Sequence, residues 1–167
     1  IFNSHKNEAV SSLKIFPAKY WIAVDDKIGV AIANNKAELD QHIKKLKKQG
    51  LYLEADRLKE RTERDMQMLK ETGFCYGIEN YSSHLDFRAA GDPPYTLLDF
   101  FKTKGEFLTI IDESHLTIPQ LHGMHAGDHS RKTTLVEHGF RLPSALDNRP
   151  LRFQEFSKRI QQTIYMS

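Results

Sequence analysis

The run Phe107-Leu108-Thr109-Ile110-Ile111 stops on Asp112-Glu113-Ser114-His115. An apolar, β-branched segment that ends on two carboxylates reads as a buried strand delivering acid side chains to its C-terminal end. That is where open α/β sheets bind their ligands. The residue types suit metal–nucleotide chemistry: Asp112 to hold a Mg²⁺ through water, Glu113 to polarise an attacking water, and His115 to couple the site to its neighbours. Strands also end in acidic residues for structural reasons alone. The apolar-Asp-Glu pattern does not by itself separate the two readings.

At 167 residues the chain can bury a core as one domain or form two small pieces of a larger one. A formal net charge of +2 selects no class of partner. The single cysteine, Cys75, rules out a disulfide framework and fits a reducing cytoplasm. No apolar run is long enough to cross a membrane, and no signal-peptide pattern opens the chain. The first residue is Ile1, and Gln162–Ser167 reads as a strand without a following turn. The chain is therefore expected to be a fragment.

Residues 1–13 are polar and read as the tail of an upstream segment. Lys14 to Val24 is aromatic and β-branched, a strand that Pro17 restricts to an edge or a bulge. From Asp26 to Lys70 the spacing predicts helix, with Leu39, Ile43 and Leu46 on one stripe and Gly50 as a break. A second stripe carries Leu51, Ala55, Leu58, Thr62 and Leu69, so a helical hairpin or one broken helix is expected. Gly73 and Gly77 bracket a turn, and Ile78 to Tyr81 begins a shorter element. Gly91-Asp92-Pro93-Pro94 is a loop, and Thr96 to Phe101 a brief helix. Gly123 and Gly127 predict an irregular connection, Ser130 the start of a helix that Gly139 stops, and Phe153–Gln161 a last helix.

Lys44, Lys45, Lys47 and Lys48 invite a nucleic-acid reading, but acids on the same helix pair make a solvated face the simpler account. Arg57, Arg61 and Arg64 line one side of the second helix, as a backbone-contacting stripe would. His122, His125 and His129 have the spacing of a zinc set, yet the intervening glycines and the lack of a nearby cysteine favour surface histidines. Arg141 and Arg149 flank Ser144 to Asn148; they either grip phosphate or leave Arg149 as a staple to Asp147. No Gly-x-x-x-x-Gly-Lys-Ser/Thr occurs, so the chain has no strong triphosphate anchor and is not expected to hydrolyse ATP alone.

The acidic strand has the pattern of a DExH-box Walker B segment, and longer motifs narrow the resemblance. Gln49-Gly50, Leu53-Glu54-Ala55, Arg57-Leu58 and Glu60-Arg61-Thr62 are followed by Gly77-Ile78-Glu79-Asn80-Tyr81-Ser82. Pro94-Tyr95-Thr96-Leu97-Leu98-Asp99, Ile111-Asp112-Glu113-Ser114-His115 and the unbroken run Gly139 to Pro150 complete the set. Over roughly residues 13–167 the chain resembles the central part of the UvrB family of bacterial nucleotide excision repair.

The resemblance implies an α/β, helix-rich fold: part of a RecA-like, P-loop NTPase, superfamily 2 helicase-like motor domain with a helical insertion. Residues 14–104 would hold the strand and helical insertion on the DNA path, and residues 105–167 part of the first motor domain. It implies a weak, DNA-stimulated ATPase that inspects one strand for bulky lesions, receives DNA with UvrA and hands it to UvrC. ATP and Mg²⁺ would be cofactors of the full-length protein, in the cytoplasm. Asp112 and Glu113 would be the Walker B pair, with Asp112 holding Mg²⁺ through water and His115 linking nucleotide state to DNA contacts. Arg61, Phe74, Glu79 and Arg141 match positions near the DNA path. In this family the phosphate loop, the β-hairpin and the UvrA-docking domain lie upstream, and the second motor domain and the UvrC-contacting hairpin lie downstream. Ser83, His125, Ala126 and His129 depart from the family's usual residues, which bears on DNA contacts there. The competing reading is a free-standing helical binding module whose acidic strand end is structural; a phosphate loop upstream in the same gene separates the two.

Overall fold

The computed structural model describes residue 12 and residues 25–167. The strand expected over Lys14–Val24, and the tail before it, lie outside the described residues. The first described element, α1 (Asp25–Lys48), turns through Gly50 into α2 (Tyr52–Thr72). Gly50 takes φ 80°, a left-handed conformation, and the Leu51 amide closes the turn on Leu46 O at 3.0 Å. The helices run antiparallel: Ile28 in the first turn of α1 shares a groove with Leu69 to Thr72 at the end of α2, and Leu39 farther along α1 shares one with Glu63 and Met66. The hairpin reading holds, and the expected stripe of Ala55, Leu58, Thr62 and Leu69 is buried.

Gly73, at φ 69°, caps α2 by donating its N–H to Leu69 O at 2.9 Å. A 3-10 turn (Ile78–Tyr81) and the single turn α3 (Ser82–Leu85) then fold back on the hairpin. Ile78, Tyr81, Leu85 and Leu142 join Leu39, Leu46, Leu58 and Leu69 in one apolar core. Leu142 comes from far along the chain, just before a second 3-10 turn (Pro143–Asp147), so the core binds the hairpin to the later sequence.

α4 (Leu97–Lys102) is opened by Thr96, whose hydroxyl and amide both donate to Asp99 Oδ2 at 2.9 and 2.7 Å. Asp99 also accepts from Arg159 Nε at 2.9 Å, which ties α4 to α6 (Phe153–Arg159). β1 (Leu108–Ile111) pairs in parallel with β2 (Gln162–Tyr165), Leu108 opposite Gln162 and Ile111 opposite Tyr165. Between them runs α5 (Ser114–Glu137).

Two expectations need correction. The irregular connection around Gly123 and Gly127 is instead continuous helix from Ser114 to Glu137, with Pro119 inside it. A helical glycine costs about 1 kcal/mol against alanine, which weakens a helix without forbidding it. Gly139 does stop the helix, at φ 68°. The strand before Asp112 is also less buried than its apolar run suggests. Ile111 is 6% exposed, but Leu108 and Ile110 are 51% and 57% exposed. A strand is buried on both faces only if both are covered, and the described residues provide cover at Ile111 alone. The result is a helix-rich chain with a small parallel sheet. Among the described residues no helix is long and apolar enough to cross a membrane.

Candidate functional site

Glu79 and Arg141 share a cleft of about 560 Å³ with Asp128, Arg131, Lys132 and Arg149. Its walls come from the first 3-10 turn, the last third of α5 and the segment after Gly139. Arg61 on α2 stands beside it: a Cβ on Gly77 would lie 4.0 Å from Arg61 Nη2 and 3.8 Å from Glu79 Oε1. The chain thus brings Arg61, Glu79 and Arg141 together from three distant places.

The cations differ in how they are committed. Arg149 grips Glu155 through Nη1–Oε2 at 2.7 Å and Nη2–Oε1 at 2.9 Å, and donates to Gly91 O at 3.1 Å. That fork holds α6 against the 91 loop, so Arg149 is a structural staple. Its partner is Glu155, not Asp147, whose carboxylate instead accepts from the Gly91 amide at 3.0 Å. Lys132 is buried against Asn148 O and Asp128, the latter at 2.8 Å. Arg131 pairs with Asp128 at 2.9 Å.

Arg141 is less committed. It donates to Phe140 O at 2.9 Å, and among the described residues no carboxylate lies within 4.0 Å of it. Burial and then the nearby Arg61 charge push its pKa down, against the opposing pull of Glu79 and Asp65. Two like charges held in one cleft favour a bound anion. Glu79 tempers this positive field, and its carboxylate also accepts from Asn80 Nδ2 at 3.4 Å. Phe74, 40% exposed, is in edge contact with Tyr76, ring centroids 5.9 Å apart, and Tyr76 shares a groove with Arg61.

The acidic tip occupies the C-terminal end of both strands. Ser114 N donates to Met166 O at 2.7 Å and Met166 N to Ile111 O at 2.9 Å, so the tip is closed by β2. Glu113 takes φ 46°, ψ 48° as the N-cap of α5. Left-handed backbone at a non-glycine residue is strained and is found preferentially at functional turns. Asp112 Oδ1 accepts the Glu113 amide at 2.9 Å, which leaves its second oxygen available. His115 Nδ1 lies 3.6 Å from Glu113 Oε2 and 3.1 Å from Ser167 Oγ. Two hard carboxylate donors directly after β1 fit a hydrated Mg²⁺. The carboxylates face solvent, and the described residues build no crevice over them. Asp112, Glu113 and His115 are thus brought together, at the opposite end of α5 from Arg141. A helix of 24 residues spans roughly 36 Å, so the two clusters do not touch.

Ser83 is buried at 3% exposure, its hydroxyl without a partner among the described residues, so no surface contact is made there. It faces a small cavity of about 340 Å³ with Glu38, His84 and Ser144. His122 of α5 stacks on half-buried Phe153 of α6 at 3.7 Å, and half-buried His125 on exposed His129 at 5.9 Å. Lys44, Lys45, Lys47 and Lys48 of α1 are exposed.

Residues 26–87 match the family model described as UvrB third helical domain. The chain is 56% identical over 153 residues to UvrABC system protein B of Bacillus licheniformis, which covers 92% of this chain and 23% of that protein. It is 55% identical over 158 residues to the same protein of Corynebacterium diphtheriae, covering 95% and 23%, and 54% over 157 residues to that of Chloroflexus aggregans, covering 94% and 23%. The chain belongs to the UvrB family.

It spans about a quarter of the length of the UvrB relatives it matches. The UvrB third helical domain ends at Phe87, so Arg61, Phe74 and Glu79 lie inside it, and Arg141 and the acidic tip outside. The UvrB hairpin and the residues after α5 thus meet across the Arg61–Glu79–Arg141 cleft. Sequence reading missed Arg131 and Lys132 as cleft residues because the helix carrying them was expected to start at Ser130. Their Asp128 partner, at helical spacing, was the available signal.

Proposed function

We propose that this chain is the central segment of a DNA-damage-verifying, helicase-like ATPase of bacterial nucleotide excision repair. The observation that carries this reading is the cleft in which Arg61, Glu79 and Arg141 converge within a chain of the UvrB family. Arg141 supplies an uncommitted guanidinium for a backbone phosphate, and phosphate contacts contribute most of a protein's affinity for DNA. Arg61 adds a second, with Phe74 reaching the same groove through Tyr76. Glu79 orients these cations and disfavours phosphates outside the productive register.

The fold belongs, on this reading, to a RecA-like motor domain with a helical insertion, of which β1 and β2 are two neighbouring strands. Asp112 and Glu113 are its Walker B pair, and Asp112 would hold Mg²⁺ through water. Bound Mg²⁺–ATP would supply charge neutralisation at the transferred phosphoryl group. Glu113, exposed at the N-cap of α5, would orient a water, and His115 would report on it. The triphosphate anchor and the cover over the tip come from other parts of the protein. UvrA delivers the DNA, UvrC receives it for incision, and the protein works in the cytoplasm.

The test uses full-length protein carrying this segment and a duplex with a single bulky adduct. Arg141→Ala is expected to weaken damaged-DNA binding about tenfold, in line with loss of one charged hydrogen-bonding contact. Glu113→Gln is expected to abolish DNA-stimulated ATP turnover while leaving that binding intact. Unchanged binding in Arg141→Ala removes the cleft from the DNA path. Unchanged turnover in Glu113→Gln removes the acidic tip from the chemistry.

A further inference from the structure

The groove beside the cleft has a composition that core packing does not explain. Tyr76 and Phe140 line a space of about 500 Å³ with Met68, three arginines (Arg57, Arg61 and Arg64) and two carboxylates (Glu60 and Asp65). Tyr76 is 78% exposed, Phe74 40% and Phe140 38%. None of the three joins the buried core. Exposed aromatics gathered on one small surface mark a binding site more often than chance.

These rings are held in place. Residues 74–76 sit between Gly73 at φ 69° and Gly77 at φ 77°, both left-handed. Thr72 Oγ1 donates to Phe74 O at 2.9 Å and accepts from Phe74 N at 3.3 Å, which fixes the loop's start. Its end is tight, since a Cβ on Gly77 would come within 3.0 Å of Asn80 Nδ2. Phe74 meets Tyr76 at an interplanar angle of 76°, an edge contact that buttresses Tyr76 without covering it. Across the groove Arg57 lies over the Phe140 ring, 4.4 Å from its centroid, and its Nη1 donates to His138 O at 2.8 Å. The scaffold supplies rigid rings.

The charge around them selects the occupant. Arg57 has no carboxylate within 4.0 Å among the described residues. Arg61 and Arg64 pair only with neighbours on their own helix, Asp65 at 3.7 Å and Glu60 at 3.2 Å. Rigid aromatics interleaved with arginines form the surface that binds single-stranded nucleic acid, bases on rings and phosphates on cations. An apolar peptide would find the arginine rim unfavourable. The groove also meets the Arg141 cleft at Arg61, so one strand can run through both.

We propose that Phe74, Tyr76 and Phe140, with Arg57, Arg61 and Arg64, form a base-stacking platform that extends the DNA path for an unpaired strand. This rests on the DNA-binding reading above. Tyr76 is the principal stacking residue and Arg57 the phosphate contact. Phe74 positions Tyr76.

The test measures binding of full-length protein to a short labelled oligothymidine and to an abasic strand of the same length. Arg141→Ala and wild type serve as references, and a folded circular dichroism spectrum is required of each variant. Tyr76→Ala is expected to weaken oligothymidine binding by about five- to a hundredfold, the range for losing one stacked base. Tyr76→Phe keeps the ring and is expected to stay within about twofold of wild type. On the abasic strand, Tyr76→Ala and wild type are expected to bind alike. Equal oligothymidine binding by Tyr76→Ala and wild type overturns the platform. An equal loss on both strands also overturns it, because the effect then lies in phosphate contact. If Arg141→Ala weakens binding and Tyr76→Ala does not, the platform fails while the cleft stands. If wild type binds neither strand, both fail.

Discussion

Tyr81 donates its hydroxyl to Asp65 Oδ2 at 2.6 Å, and that same oxygen lies 3.7 Å from Arg61 Nε. Both Tyr81 and Asp65 are buried, so the core of the hairpin reaches directly to a cleft cation. Removing the hydroxyl leaves a buried carboxylate short of a donor. Tyr81→Phe is therefore expected to lose about 1–3 kcal/mol of stability, read as faster native-state hydrogen exchange at the α2 amides. Unchanged exchange would show that Arg61 and water satisfy Asp65 unaided.

Gly139 is where the chain after α5 meets the hairpin most closely. A Cβ there would clash with the Glu54 backbone carbonyl, and the backbone is left-handed at φ 68°. Neither contact has a flexible side chain that can yield. Gly139→Ala is expected to cost about 2–4 kcal/mol, combining left-handed strain with a forced backbone shift. Thermal unfolding checks it. Gly123→Ala and Gly127→Ala provide the contrast: nothing lies within 4 Å of either position. Each is expected to stabilise α5 by about 0.5–1 kcal/mol.

The Arg149–Glu155 fork makes part of the structure acid-sensitive. The hydrogen bonds from Arg149, outweighing the effect of burial, lower the Glu155 carboxyl from 4.5 to about 2. Folded Glu155 binds its proton more weakly than the unfolded residue does. Its stabilising contribution is thus complete above pH 4.5 and is lost as pH falls toward about 2. Unfolding free energy measured across that window is expected to decline with acid. Glu155→Gln should flatten this part of the profile and lower stability at neutral pH.

Cys75 is fully buried, and burial, followed by the charges of Asp65 and Glu79, pushes its thiol up to about 12. Almost none is thiolate at neutral pH. A maleimide is expected to leave the native protein unlabelled and to modify it as denaturant opens the hairpin. Labelling at the same rate in native buffer would contradict the burial.

The sequence carried the helices through their periods and their stops. Leu58 and Leu69 advertised the buried stripe of α2, and Gly50, Gly73 and Gly139 marked the turns because each needs a left-handed backbone. The length of α5 was illegible locally. Its two glycines and Pro119 argue against helix, and its contacts with residues 143–149 are invisible to a window of a dozen residues. The partner of Arg149 was hidden for the same reason: the sequence reading offered only phosphate or Asp147, and the fold brings Glu155 to it instead. Arg61, Glu79 and Arg141 could be matched to a family by their flanking motifs. That they share one place follows only from Leu142 packing into the hairpin core. Tyr76 gave no periodic signal, because a residue fixed between two glycines belongs to no stripe.

The parallel pairing of Leu108 with Gln162 carries a consequence for the order of assembly. The α1–α2 hairpin is made of near neighbours and needs only a short loop to close, whereas β1 must wait until α5, the 143–147 turn and α6 have all emerged. Local contacts repay their entropy early and distant ones late. The hairpin therefore collapses before the strand tip bearing Asp112 and Glu113 is set.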